Sequence, residues 1–432
     1  MCFLKEDRRG EFTLLQSHGT IRDVIDGLLK TPAPEDPFHV LDLDDVVQKH
    51  VNWLRQMPRV KPFYAVKCND DPYILEALAC LGTGFDCASK AEIRKILDLG
   101  VEPERIIFAH PVKSKEALQF AKEQRVTRMT FDNELELEKI AQFYPEAELV
   151  LRFRHDSSKV LISLGKKFGC DAEEEGLVLI QKAKELGLKI VGVSFHVGCG
   201  SNDAECYYEA IRLAKLLFDF GTSAGFQFKL VDLGGGFPGD SDKTIDGYAE
   251  VINRALDQFF PSQCGVEVIA EPGRYYAGSA VRLFTTIHGK KFVNAEDGER
   301  HVMYYINDGV FGTLFDWVSL RAVHDLARVI PVITSDKQGK PLLKTTIWGP
   351  TCDSTDIVCE DVEFPDHDIG EYMLFENIGA YGITFATNFN GFPSPSIRVY
   401  VKEQTWATLS NLKSIEWTNK PLEVLETHFQ QK

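Results

Sequence analysis

Phe63-Tyr64-Ala65-Val66-Lys67-Cys68-Asn69-Asp70 is an apolar, β-type run that delivers a lysine to whatever lies beyond it. A strand buried on both faces reads as a short continuous apolar segment, so Lys67 falls at the C-terminal end of such a strand. A lone lysine there is most simply a solubilising residue that snorkels outward, because lysines are seldom buried. The following segments change that balance: they repeatedly place polar or ionisable residues at equivalent strand ends.

Working outward from Phe63, strand-like segments fall near residues 63–66, 84–87, 105–109, 128–131, 148–153, 189–196, 228–232 and 266–270. Helix signals separate most of them. Asp71-Pro72 offers a cap with proline in the first turn, Ser89-x-x-Glu92 has capping-box spacing, and Asn133 and Asp203 stand where further caps are needed. Asp44 is placed to cap an earlier helix over residues 45–57, after strand-like 40–43. Gly82, Gly100, Gly187 and Gly225 sit where helices should stop. Eight strands alternating with helices predict a (β/α)8, TIM-type barrel with its functional residues at the C-terminal ends of the strands. The other α/β architecture, an open doubly wound sheet, lacks its dinucleotide fingerprint after the first strand.

Beyond residue 276 strand-like segments follow one another without helices, at 280–288, 302–306, 328–334, 342–348, 372–375 and 396–401. The fold class expected is therefore α/β plus all-β. Residues 38–276 form the barrel, and residues 1–37 plus 277–432 form a β-sandwich or β-barrel domain.

Composition narrows the function. At 44% apolar and 26% charged, the 432 residues match a soluble globular protein of two domains. A net charge of -16 argues against a nucleic-acid or anionic-membrane binder. Neither a signal-peptide core nor a membrane-length apolar run is present, so cytoplasmic location is the expectation. The ten scattered cysteines include no C-x-x-C pair and read as reduced thiols, with neither a disulfide framework nor a metal site.

The strand ends carry Lys67, Asp86, His110, Arg152, His196, the run Gly234-Gly235-Gly236, and Glu271-Pro272-Gly273-Arg274. Each alone has a bland reading as a cap, an ion-pair partner, a core histidine or a tight turn. All at one end of one barrel, they form a constellation. Consecutive glycines let backbone N–H groups approach a ligand, and an arginine adds a donor fork, which together suit a phosphate. Pyridoxal 5'-phosphate needs a lysine amine, phosphate donors and a carboxylate at its pyridine nitrogen. Lys67, Gly236 with Arg274, and Glu271 fit those needs.

These residues lie in PFYAVKCNDD (62–71), LGTGFDCAS (81–89), GVSFHVG (192–198), DLGGGFPG (232–239), EPGRYY (271–276), YYINDGV (304–310), WGPTCD (348–353) and GAY (379–381). From Pro37 onward the chain resembles the fold-type III pyridoxal-phosphate decarboxylases, and among them the eukaryotic ornithine decarboxylase family. The resemblance implies a homodimer whose composite active sites borrow residues from both subunits. It makes Lys67 the Schiff-base lysine, His196 the residue stacked on the cofactor ring, Glu271 the pyridine-nitrogen partner, and Gly235, Gly236, Gly273, Arg274 and Tyr381 the phosphate surroundings. Asp86, Glu92, Arg152 and Lys167 also match. Cys352 would return the proton after decarboxylation, and Asp353 would face the substrate's distal amine, both across the dimer interface. The default reaction implied is L-ornithine to putrescine and carbon dioxide, in polyamine biosynthesis. A non-catalytic regulator like the antizyme inhibitors is the rival reading, and an antizyme-type partner is implied by resemblance alone.

Three departures matter. Cys199 replaces a phosphate-binding serine, and His110 replaces an asparagine. Ser319 and Leu320 stand where the family carries a substrate-binding Tyr-Asp pair, with Asp316 nearby in sequence. Asp353, or Asp316 brought into reach, would keep a cationic substrate such as ornithine or lysine; where neither compensates, a pocket with Leu320 in place of an acid is expected to prefer an aliphatic amino acid such as leucine.

Overall fold

The computed structural model describes residues 12–16, 18–155, 165–198, 203–294, 300–324 and 342–412, without the side chains of 320–324. Cys199 and the strand expected at 328–334 lie outside the described residues. Eight parallel strands close a barrel in the order Glu267–Ala270, Val60–Ala65, Gly84–Cys87, Ile106–Phe108, Arg128–Phe131, Glu148–Arg152, Lys189–Ser194 and Leu230–Asp232. All eight fall on the segments read from sequence.

Strand periodicity organises this barrel. Phe63, Ile107, Val150, Val191, Leu230 and Ile269 cluster together in its interior. Their sequence neighbours Tyr64, Ile106, Phe108, Leu149, Leu151, Ile190, Val231, Val268 and Ala270 join the larger core beneath the helices. Successive side chains of a strand point to opposite faces, so residues one step beyond an outward position point inward. That parity directs Asp86, Arg152, Asp232 and Glu271 into the barrel mouth.

The helices between strands start and stop largely as their sequence suggests. Asp71 caps Pro72–Cys80 by accepting from Tyr73 N, and Asn133 accepts from Glu136 N. Ser89 accepts from Glu92 N, but the Glu92 carboxylate takes the N–H of Ala88, one residue before the cap. Two caps differ. Asp42, not Asp44, accepts from Asp45 N to start Leu43–Gln56, and Asp44 instead takes Lys402 N and Thr405 Oγ1. Ala204, not Asp203, is the residue that precedes helix Glu205–Ser223, and Cys206 Sγ donates to the Asp203 carbonyl. Gly82, Gly100, Gly187 and Gly225 all take positive φ where helices end.

The second domain is an eight-stranded mixed sheet built on Val281–Asn294. The first half of that strand pairs with Phe38–Asp42 and Tyr372–Phe375; after a register shift between Ile287 and Gly289, the second half pairs with Arg300–Ile306. A bulge that lets one strand serve two sheet segments is a usual way to turn such a corner. Leu342–Trp348 and Ile357–Pro365 extend one side, and Ser396–Lys402 with Phe12–Leu15 the other. Ile357–Pro365 and Phe12–Leu15 escaped the sequence reading. In the former, Glu360, Asp361 and Glu363 interrupt the apolar alternation. Phe38–Asp42 also stands in this sheet, so the first residues of the expected barrel unit serve the other domain. Nor is the domain purely β, because it includes the helices Phe315–His324 and Glu403–Asn411.

Hydrogen bonds join the domains at the barrel mouth. Tyr381 N donates to Cys68 O at 2.8 Å, and Asn69 Nδ2 donates to Gly379 O at 2.8 Å. They attach the segment carrying Tyr381 to the turn that carries Lys67. Cys87, Cys170, Cys264 and Cys352 are free thiols, while Cys80 is disulfide-bonded, contrary to the expectation of reduced thiols throughout. Among the described residues no helix is long and apolar enough to cross a membrane, and no cluster of His, Cys, Asp and Glu is arranged to hold a metal ion.

Candidate active site

Lys67 lies in the short 3-10 turn Val66–Cys68 that directly follows strand Val60–Ala65. Its Nζ donates to Oδ2 of Asp86, which is wholly buried on the neighbouring strand. Burial alone would push the Lys67 ammonium down, but Asp86, Glu271 and Tyr381 outweigh it and hold the ammonium above its usual range. The mouth contains more acid than that pair. Asp232, last residue of its strand, accepts from Gly234 N at 2.9 Å, and Glu271 follows the next strand. Burial pushes Asp232 up to about 7 and, with repulsion from Asp232 and Asp86, pushes Glu271 well above the carboxylate range. The two carboxyls therefore retain a proton between them.

His196 follows strand Lys189–Ser194 and accepts from Gly198 N at 3.0 Å through Nδ1, which leaves the ring proton on Nε2. Burial, then Arg152 and Lys67, push its pKa far down, so the imidazole is neutral. It faces the glycine run. A Cβ on Gly235 would lie 2.9 Å from His196 Nε2, and one on Gly236, at φ +111°, would lie 2.7 Å from Gly198 O. Gly273 is similarly confined, 2.8 Å from Cys68 Cβ. Only glycine leaves this mouth open. Arg152 ends its own strand and stands 5.6 Å from the Phe168 ring, which also meets Lys167 at 5.0 Å and His110 at 5.4 Å.

Arg274 has a partner that sequence reasoning did not foresee. Its Nη2 meets both carboxylate oxygens of Asp316 at 2.9 Å, so Asp316 is drawn to the arginine. Tyr381, at φ +55°, lies 5.4 Å beneath the same guanidinium and stacks on Phe385. Ser319 is half-buried on helix Phe315–His324, and the Leu320 side chain lies outside the described residues.

Cys352 and Asp353 are on the loop between Leu342–Trp348 and Ile357–Pro365, and none of their hydrogen bonds reaches Lys67. Cys352 is exposed, its N–H bonded to Asn390 Oδ1 at 3.0 Å. Asp353 accepts from Thr355 Oγ1 and N, which hold its carboxylate below the usual range. Buried Asp356 fixes the loop by accepting from Val310 N at 2.8 Å, Thr351 N at 3.0 Å and Thr351 Oγ1 at 2.7 Å. Gly309 and Gly349 are required beside it, since a Cβ on either would approach Asp356 Oδ1 to 2.3 and 2.2 Å. Asp232 and Asp356 are the site residues the sequence reading missed. Inward parity would have found Asp232, whereas nothing local distinguishes Asp356.

The donor set fits pyridoxal phosphate: a confined amine, a carboxyl pair able to hold a proton at a ring nitrogen, a neutral imidazole, and a glycine-lined mouth with an arginine beside it. Buried Asp86 Oδ1 has no hydrogen-bond partner among the described residues, consistent with a mouth built to face a polar ligand. Fold and site together present a barrel with a lysine at its mouth, among carboxyls and glycines that suit a phosphorylated ligand. Comparison with known proteins makes the class specific. The family described as pyridoxal-dependent decarboxylase, pyridoxal binding domain, matches residues 43–278. Ornithine decarboxylase of Rattus norvegicus is 43% identical over 418 residues, 93% of this chain and 89% of that protein. Antizyme inhibitor 2 of Xenopus laevis is 41% identical over 419 residues, covering 94% and 91%. The Paramecium bursaria Chlorella virus arginine decarboxylase, solved with agmatine, superposes with a TM-score of 0.80 at 35% identity, covering 88% of this chain and all of that one. The chain belongs to the pyridoxal-dependent decarboxylases, in the ornithine decarboxylase-like branch. It is a pyridoxal-phosphate-dependent amino-acid decarboxylase.

Replacing Asp86 by Asn should lower the pKa of the Lys67 amine and raise its acylation rate at pH 8 by about tenfold or more, because a larger fraction of the amine is then unprotonated. Peptide mass spectrometry after brief treatment with an acylating reagent reads this directly. Unchanged labelling of Lys67 would show that Asp86 does not hold its proton.

Proposed function

We propose that the chain decarboxylates a small L-amino acid, at a site completed by a second copy of itself, and that its side-chain pocket favours an aliphatic substrate. In this reading residues 38–276 hold the cofactor. Lys67 would carry it, with Asp86 keeping the amine's proton close; His196 would cover the ring, and Glu271 with Asp232 would hold a proton at its nitrogen. Gly235, Gly236, Gly273, Arg274 and Tyr381 would surround the phosphate, and Arg152 supplies positive potential at the carboxyl cluster. The cofactor, when bound, supplies an electron sink for the pair left behind as carbon dioxide departs. Residues 277–432, with the first 37, form the unit that presents Cys352 and Asp353.

The observation that carries the substrate reading is the engagement of Asp316 by Arg274. Ornithine's distal ammonium needs an acid when it leaves water, and stranding a buried charge by loss of its partner costs about 3–5 kcal/mol. Leucine at position 320 removes the family's acid, and Asp316, the nearest substitute in sequence, is committed elsewhere. Asp353 alone remains. Leucine is the substrate proposed, with modest selectivity among aliphatic amino acids, because each methylene is worth only about 1–3 kcal/mol.

The dimer reading is supported by the exposed, firmly held Cys352 loop and by half-exposed Phe389 and Phe392 near it. Such aromatic surface suits burial against a second subunit. The relatives carry one further suggestion: recognition by an antizyme-type regulator, suggested by the similarity to an antizyme inhibitor.

Carbon dioxide release from ornithine, lysine, arginine and leucine decides the substrate. Leucine should be turned over best, and Leu320→Asp should shift kcat/KM towards ornithine by at least about tenfold. Wild-type turnover of ornithine far above leucine would overturn the aliphatic pocket and assign the ammonium to Asp353. No release from any amino acid by pyridoxal-phosphate-loaded protein would favour the antizyme-inhibitor-like reading.

Composite sites make a separate prediction. Mixing inactive Lys67→Ala with inactive Cys352→Ala protein should restore about a quarter of wild-type activity, since half the dimers would be mixed and each would have one intact site of two. No recovery after confirmed subunit exchange contradicts shared sites.

A further inference from the structure

Arg274 is fixed by its backbone at the cofactor mouth. Its carbonyl packs so closely on the glycine-run loop that a Cβ on Gly239 would lie 1.8 Å away. Its guanidinium stands 5.4 Å from the Tyr381 ring and is largely buried, with 19% of the side chain exposed. Asp316, at 13%, is more enclosed still. The carboxylate is not a casual neighbour. Phe315 packs edge-on against Phe385 at 5.6 Å and Trp317 against Phe375 at 5.0 Å, so the residues flanking Asp316 anchor the first turn of its helix. Asp240, just beyond the glycine run, adds a second negative charge within electrostatic reach of Asp316.

We propose that Asp316 is an affinity-setting residue of the cofactor site, a fixed carboxylate that shares Arg274 with the cofactor's phosphate and weakens phosphate binding. This rests on the cofactor reading above. A phosphate approaching Arg274 meets a neutralised ion pair, not an unopposed cation. It must either tolerate a carboxylate beside it or displace that carboxylate from a partly buried, two-point contact. Both routes oppose anion binding, and neither affects groups that touch only the cofactor ring. The consequence is a smaller preference for phosphorylated over unphosphorylated pyridoxal than the glycine run and an unopposed Arg274 would together give.

The chemistry suggests a test that isolates the phosphate. Asp316→Asn keeps an oxygen able to accept from Arg274 but removes the charge, and Asp316→Ser provides a smaller variant should the amide fold poorly. Binding of pyridoxal phosphate and of pyridoxal to purified full-length protein is followed by visible absorbance, with Lys67→Ala as the blank, and inorganic phosphate is titrated as a competitor. The expected result is about tenfold tighter pyridoxal phosphate in both variants, unchanged pyridoxal, and a similar gain in competition by inorganic phosphate. An unchanged ratio of the two affinities overturns the proposal. A weaker hold on pyridoxal phosphate in the variants also overturns it, by showing that Asp316 orients Arg274 for the phosphate. If wild type and variants alike bind no pyridoxal phosphate through Lys67, the cofactor reading fails and the inference goes with it.

Discussion

The contact between Lys67 and Asp86 binds one ammonium to one wholly buried carboxylate at the centre of an acid-rich barrel mouth. Asp232 and Glu271 add two further carboxyls, while Arg152 is the other cation that acts on them. So many acids in so little water cannot all ionise. The mouth resolves this by dividing the roles: Asp86 is matched to Lys67, and Asp232 with Glu271 retains a proton. That division yields an amine and a proton-bearing carboxyl pair from residues of ordinary type. The neutral His196 follows from the same field, because the cations beside it add to the effect of burial.

Around this charge balance the backbone is fitted closely. Gly235, Gly236 and Gly273 leave space that any side chain would fill, and the Tyr381 segment is bonded to the Cys68 carbonyl from the second domain. The sheet therefore does more than cover the barrel. Its long strand Val281–Asn294 continues directly from the helix that carries Arg274, and its Asp356 fixes the loop bearing Cys352 and Asp353. Two groups of residues are prepared in one chain, one in the barrel and one at a surface loop. The exposed position of Cys352 on that loop is the observation on which the proposed second subunit rests.

Much of the barrel was legible because its rule is local. Short apolar runs, glycine stops and caps at Asp71 and Asn133 each depend on a few neighbouring residues. Lys67, Asp86, Arg152, His196 and Glu271 were legible for the same reason, as residues at strand ends. The second domain was harder. The acids in Ile357–Pro365 concealed a strand, and the assignment of Phe38–Asp42 to the mixed sheet depends on partners more than 200 residues away. Asp316 shows the limit most clearly. Its sequence neighbourhood suggested the substrate pocket, while the fold gives it to Arg274, a residue 42 positions earlier.

The proposed chemistry turns on Lys67 being the amine that carries the cofactor. The most direct measurement is borohydride reduction of the protein with pyridoxal phosphate, followed by digestion and peptide mass spectrometry. One dominant pyridoxyl adduct is expected, on the peptide containing Lys67, and it should be lost in Lys67→Ala. An adduct spread over surface lysines, or a dominant one elsewhere that persists in Lys67→Ala, would contradict the assignment.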